Sequence, residues 1–129
     1  MANMNIKMKF YPFSDEFELE DDKNSDKKKV NRNTGRGKNS LKTGVNAGDT
    51  IIWSRHSDQS EINDILAVFP HEKNGLIFNG KAAERKGDTF IIKVPENIKE
   101  AEEKYYIVYS TKKNPEPVII DPYIIIPPS

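Results

Sequence analysis

Three groups of residues in this 129-residue chain have types and spacings that could do chemistry. His56 and His71 lie 15 positions apart, and a histidine pair joined by a carboxylate or methionine can hold copper or zinc. With no cysteine in the chain, no thiolate is available for such a site, for a nucleophile or for a disulfide. Both histidines fall in polar surroundings and read as surface loop residues, so no metal ligand and no cofactor is expected, and weak metal binding through them is the third and last reading of function. Asp58, Glu61 and Asp64 are spaced three apart, which would place three carboxylates on one side of a helical turn. General acid–base work also needs a cleft that shifts their pKa values, and the flanking residues suggest only a solvated face. Ser57 beside His56 and Asp58 lacks the strand-turn-helix context of a nucleophile elbow. Gly35 and Gly37 lack the strand and helix that flank a nucleotide-binding loop. No catalytic residue is expected.

The third group is electrostatic. An acidic stretch (Asp15, Glu16, Glu18, Glu20, Asp21 and Asp22) precedes a basic one, Lys27, Lys28, Lys29, Arg32, Arg36, Lys38 and Lys42. Cations at this density could contact phosphates, with affinity falling steeply as salt rises. Residues 23–46 contain no aromatic side chain on which bases could stack. The formal net charge is zero, so global charge selects no polyanionic partner. Nucleic-acid or anionic-partner binding through 27–42 is therefore the alternative reading, behind a neutral protein–protein contact.

The elements that must position these groups are strands. Met4, Ile6, Met8 and Phe10 alternate with polar residues, the period-two pattern of a half-buried strand that Pro12 would end. Phe17-Glu18-Leu19-Glu20 alternates again. Gly48-Asp49-Thr50 and Gly87-Asp88-Thr89 are tight turns, each feeding an apolar β-branched run, and the first run ends on the sole tryptophan, Trp53. Ile62, Ile65, Leu66 and Phe69 have helical spacing, whereas Ile65 to Phe69 also reads as a strand; the expectation is a turn or short helical segment leading into a strand closed by Pro70. Leu76-Ile77-Phe78 reads as a short strand, and 97–103 as a loop or one helical turn. The Tyr105–Tyr109 and Val118–Ile126 segments complete the set, the latter interrupted at Asp121-Pro122. Seven or eight short strands with regular turn signals predict a Greek-key-type β-sandwich, immunoglobulin-like in layout, as one domain over 1–129. Residues 21–46 are too polar to build a core and read as a long charged loop or arm within it, with room for a short strand around Leu41.

The Gly48-Asp49-Thr50-Ile51-Ile52-Trp53 strand resembles the corresponding strand of cupredoxin-like domains. The closing Asp121-Pro122-Tyr123-Ile124-Ile125-Ile126 is similar to the ending of small bacterial β-sandwich proteins that resemble cupredoxins without copper. The resemblance covers roughly residues 45–126 and implies a cupredoxin-like sandwich. The thiolate that type 1 copper requires is missing, so copper chemistry does not follow.

What remains is the surface. Ile124, Ile125 and Ile126 make a terminal strand apolar on both faces, which must be central in a sheet or buried against a partner. Tyr105, Ile107 and Tyr109 share one strand face, and Tyr106 and Val108 the other. The expected function is a non-catalytic binding or assembly module that contacts a protein, or a second copy of itself, through Ile124, Ile125, Ile126, Tyr123 and Tyr106. The first ten residues contain no uninterrupted apolar segment and no window reaches a membrane span, so no membrane and a cytoplasmic location are expected.

Overall fold

A computed structural model describes residues 3–11, 16–21, 24–31, 41–56, 62–112 and 116–127. These residues form eleven strands and no helix: β1 (Asn3–Tyr11), β2 (Glu16–Asp21), β3 (Asn24–Asn31), β4 (Lys42–Gly44), β5 (Thr50–Arg55), β6 (Ile62–Pro70), β7 (Glu84–Lys86), β8 (Thr89–Lys93), β9 (Ala101–Thr111), β10 (Val118–Ile120) and β11 (Tyr123–Ile126). The number exceeds the seven or eight expected, because β4, β7 and β10 are three-residue strands with too few residues to show a period.

The first sheet has the order β3-β2-β1-β5-β8-β7. Its β1–β5 pair is parallel and its other pairs are antiparallel. The second sheet is organised on β9. Strand β6 pairs with one edge of β9, β10 and β11 follow one another along the other edge, and β4 lies parallel to β11 on its outer side. The two sheets pack face to face. Met4, Ile6, Met8, Trp53 and Phe17 are fully buried from the first sheet, and Ile107, Tyr105, Tyr109 and Ile124 from the second. The Phe17 and Tyr109 rings stack at 5.2 Å between centroids, and Trp53 Nε1 donates to Tyr105 Oη at 3.1 Å. The core is therefore that of a two-layer β-sandwich.

Both Gly-Asp turns form. Gly48 has φ of 85°, Asp49 Oδ2 accepts from Asn46 N–H at 2.9 Å, and the chain leaves the turn into β5 with Trp53 on the inner face. Gly87 has φ of 61° and opens the two-residue β7–β8 hairpin, where Lys86 pairs with Thr89. Glycine first in a two-residue hairpin suits the right-handed twist of the strands.

Three expectations are corrected. The stretch 21–46 is not loop throughout: β4 matches the short strand allowed around Leu41, whereas β3 was not expected. Its polarity hid β3, whose sequence Asn24 to Asn31 carries no alternating apolar residues. The strand expected up to Pro70 forms but already starts at Ile62, with no helical segment within 62–70, although Ile62, Ile65 and Val68 are all buried at a spacing of three. Register shifts between Ile62 and Asp64 and between Ile65 and Ala67 account for this, because each bulge adds one residue and returns the next apolar side chain to the core. Leu76-Ile77-Phe78 is turn, not strand. The N–H groups of Ile77 and Phe78 both donate to Glu103 Oε2, at 3.1 and 2.9 Å, so they are satisfied by a side chain rather than a ladder.

Candidate partner-binding face

The outer faces of the two sheets differ. On the first sheet, Lys7 lies opposite Glu20 and Lys9 opposite Glu18 across β1–β2. His56 Nε2 is 2.7 Å from Glu20 Oε2, and the Tyr11 hydroxyl lies 3.4 Å from both Glu18 oxygens. Over β1 and β2 this face is polar, with opposite charges placed side by side, while the half-buried Ile52 and Ile91 face each other on it across β5 and β8.

The outer face of the second sheet is apolar at its centre. Ile119 of β10 lies opposite Val108 of β9, and Val108 lies opposite Ala67 of β6, so three strands give one continuous aliphatic row. Tyr106 and Phe69 form the next row, opposite each other in register and 5.2 Å apart between ring centroids. The bulge at β6 pushes Leu66 out beside these rows. Leu66 is 40% exposed and Ile119 60% exposed, while Val108, Tyr106, Ala67 and Phe69 are half-buried. His71 closes one end, its Nδ1 2.6 Å from Tyr106 Oη and its ring edge-on to the tyrosine.

Among the described residues, three ion pairs lie on this side of the molecule. Arg85 bridges Asp64 at 3.3 Å, Lys104 bridges Asp121 at 3.2 Å, and Lys42 lies 3.6 Å from Glu102. The Asp121 carboxylate, by hydrogen bond and charge, raises the Lys104 ammonium above its ordinary pKa. An apolar centre edged by polar residues is the anatomy of a protein interface.

The expected contact residues separate. Tyr106 stands at the centre of the face. Tyr123 and Ile125 are half-buried on the same outer side, further along β9 beside Lys104 and Glu102. Ile124 and Ile126 are core residues, and β11 is hydrogen-bonded on one edge to β9 and on the other to β4. The doubly apolar strand is thus central in its sheet, and its sequence pattern needs no partner chain. Val108, Ala67, Phe69, Leu66 and Ile119 were not singled out as a set. Val108 and Tyr106 share a face by simple alternation, but joining them to β6 and β10 requires the pairing.

Of the basic group, Lys27, Lys28 and Lys29 lie on β3, with Lys28 opposite Leu19 and Lys29 opposite Glu18. Arg32, Arg36 and Lys38 lie outside the described residues, as do Ser57, Asp58 and Glu61; Asp64 is the Arg85 partner. The two histidines have separate partners, Glu20 and Tyr106. Among the described residues no group of three or more His, Cys, Asp or Glu side chains is placed to hold a metal, and no helix is long and apolar enough to cross a membrane.

At one end of the sandwich, Glu103 points inward and pins the turn after β6. Its Oε1 has no hydrogen-bond partner among the described residues. Burial, opposed by the two N–H donors and aided by the charge of Glu72, raises its carboxyl above the ordinary value. Beside it Phe78 stacks on Trp53 and packs on Tyr105. Burial, with the charge of Asp21 adding to it, raises the Tyr105 phenol well above its usual range. These groups face the core and serve packing.

Comparison with protein-family models and with curated proteins finds no match for this chain.

Proposed function

We propose that this protein is a non-catalytic assembly module that associates with a second copy of itself through the outer face of β6, β9 and β10. The observation that carries the reading is the continuous Ile119–Val108–Ala67 row with Tyr106, Phe69 and Leu66 beside it. Exposed Leu66 and Ile119 adjoin half-buried apolar residues across three strands, and contiguous apolar patches of this kind mark interaction surfaces. Electrostatics favours an identical partner. The chain has zero formal net charge and the ion pairs near the face are internally balanced, so two copies meet without long-range repulsion. A face packed on its own image about a two-fold axis is the commonest homo-oligomeric arrangement. We further read the sandwich as Greek-key, cupredoxin-like and copper-free. The Gly48-Asp49-Thr50 turn and the core position of Trp53 support this, and the lack of cysteine argues against type 1 copper.

Light scattering after size-exclusion chromatography, across a wide concentration range, tests the association. A mass rising toward twice 14.7 kDa for the wild type, and held at the monomer value for Ile119→Lys, is expected. A wild type that stays monomeric at every concentration overturns the proposal.

A further inference from the structure

Strand β8 is covered along only part of its outer edge. Val94 N–H donates to Asp49 C=O at 2.8 Å, which sets the alternation along the antiparallel β5–β8 ladder. Phe90, Ile92 and Val94 turn their main-chain groups toward β5, and Thr89, Ile91 and Lys93 turn theirs the opposite way. Strand β7 takes Thr89 and Ile91, opposite Lys86 and Glu84. It begins only at Glu84, because the preceding chain swings to β6, where Ala83 N–H donates to Val68 C=O at 2.8 Å. The N–H and C=O of Lys93 therefore face a lane that no strand fills among the described residues. A cavity of about 290 Å³ lies there, lined by Ile77, Phe78, Lys81, Glu84, Ile92 and Lys93 among others.

We propose that this lane binds the C-terminal end of an extended apolar peptide, taking its carboxylate between Lys81 and Lys93. A strand edge with an unused donor and acceptor is a template for one more extended chain, and side-chain pockets along it supply selectivity. Ile77, Phe78 and Ile92 give an apolar floor for a terminal side chain. Lys81 and Lys93 against the single Glu84 give the lane an excess of positive charge, and neither lysine has an ion-pair partner among the described residues. The volume is at the small end of ligand sites, about 300 Å³, which suits two or three residues at a chain end.

The site has a built-in reporter, since Phe78 lines the cavity and stacks on Trp53 at 5.9 Å. Tryptophan emission is titrated with the acetylated peptide Ser-Thr-Val-Ile carrying a free carboxylate, and with its C-terminal amide. A saturable change for the acid, weaker for the amide by about ten-fold or more, is expected for a lost charge-assisted hydrogen bond. Lys93→Gln should weaken the acid form. Lys93→Pro should still fold by circular dichroism, because the Lys93 N–H takes no part in the β5 ladder, and should cost roughly three-fold more affinity by removing the lane's donor. Ile119→Lys, on the opposite sheet, should leave the titration unchanged, which separates this site from the association face. The proposal is overturned if neither peptide gives a saturable response, if acid and amide respond equally, or if both Lys93 variants bind as the wild type does.

Discussion

Glu103 shows how one side chain can replace a piece of ladder. Its carboxylate takes two adjacent main-chain donors, and Gly75 passes so close that a Cβ there would overlap the carboxylate. Gly75→Ala is therefore expected to destabilise the fold by about 1–3 kcal/mol, the usual scale of overpacking, read by urea denaturation. Because burial holds the Glu103 carboxyl above 4.5, the folded chain keeps this proton to higher pH than the unfolded chain does. The stability linked to it is fully present below 4.5 and is lost as pH rises through the folded value. Glu103→Gln still offers an oxygen to Ile77 and Phe78 without that loss. The difference in unfolding free energy between variant and wild type should shift in the variant's favour as pH rises from 4 toward neutrality; a constant difference contradicts the assignment. Tyr105→Phe leaves the buried Trp53 N–H without its acceptor and should cost about 1–3 kcal/mol. None of this is legible in the sequence. Within Glu100-Ala101-Glu102-Glu103 every glutamate reads as solvated, and Glu103 acquires its role only from a turn 25 residues earlier.

Strands with regular alternation were the readable ones. Strand β1 announces itself by Met4, Ile6, Met8 and Phe10, all buried, and the two Gly-Asp turns place β5 and β8. Strand β6 was readable only in its second half, Ile65 to Phe69, because two bulges give its core residues a helix-like spacing of three. The second bulge leaves Leu66 as the added residue between Ile65, opposite Tyr109, and Ala67, opposite Val108. Deleting Leu66 should thus restore plain alternation without moving any core side chain to the wrong face. Cooperative thermal unfolding near the wild-type midpoint is the expected outcome, and a loss of several kcal/mol, the scale of a flipped core row, would contradict the bulge assignment. The same reasoning explains β11. Its apolar pattern on both faces was legible, and of the two causes that pattern admits, the central position between β9 and β4 is the one observed.

At the scale of the molecule the two layers present unlike surfaces. One carries registered pairs of opposite charge over β1 and β2 beside a single Ile52–Ile91 pair, and the other a broader apolar field bordered by ion pairs. The sequence contains both patterns, but the field draws Leu66, Phe69, Tyr106, Val108 and Ile119 from strands separated by up to about 50 positions, and only pairing brings them together. Dilution of isotopically labelled protein, followed by amide chemical shifts residue by residue, tests the association face most directly. If two copies meet there, concentration-dependent shifts should gather on Leu66, Phe69, Tyr106, Val108 and Ile119 and should vanish in Ile119→Lys. Shifts that gather instead on Lys7, Lys9 and Glu20, or that persist unchanged in the variant, would contradict the claim that the apolar outer face is where this protein assembles.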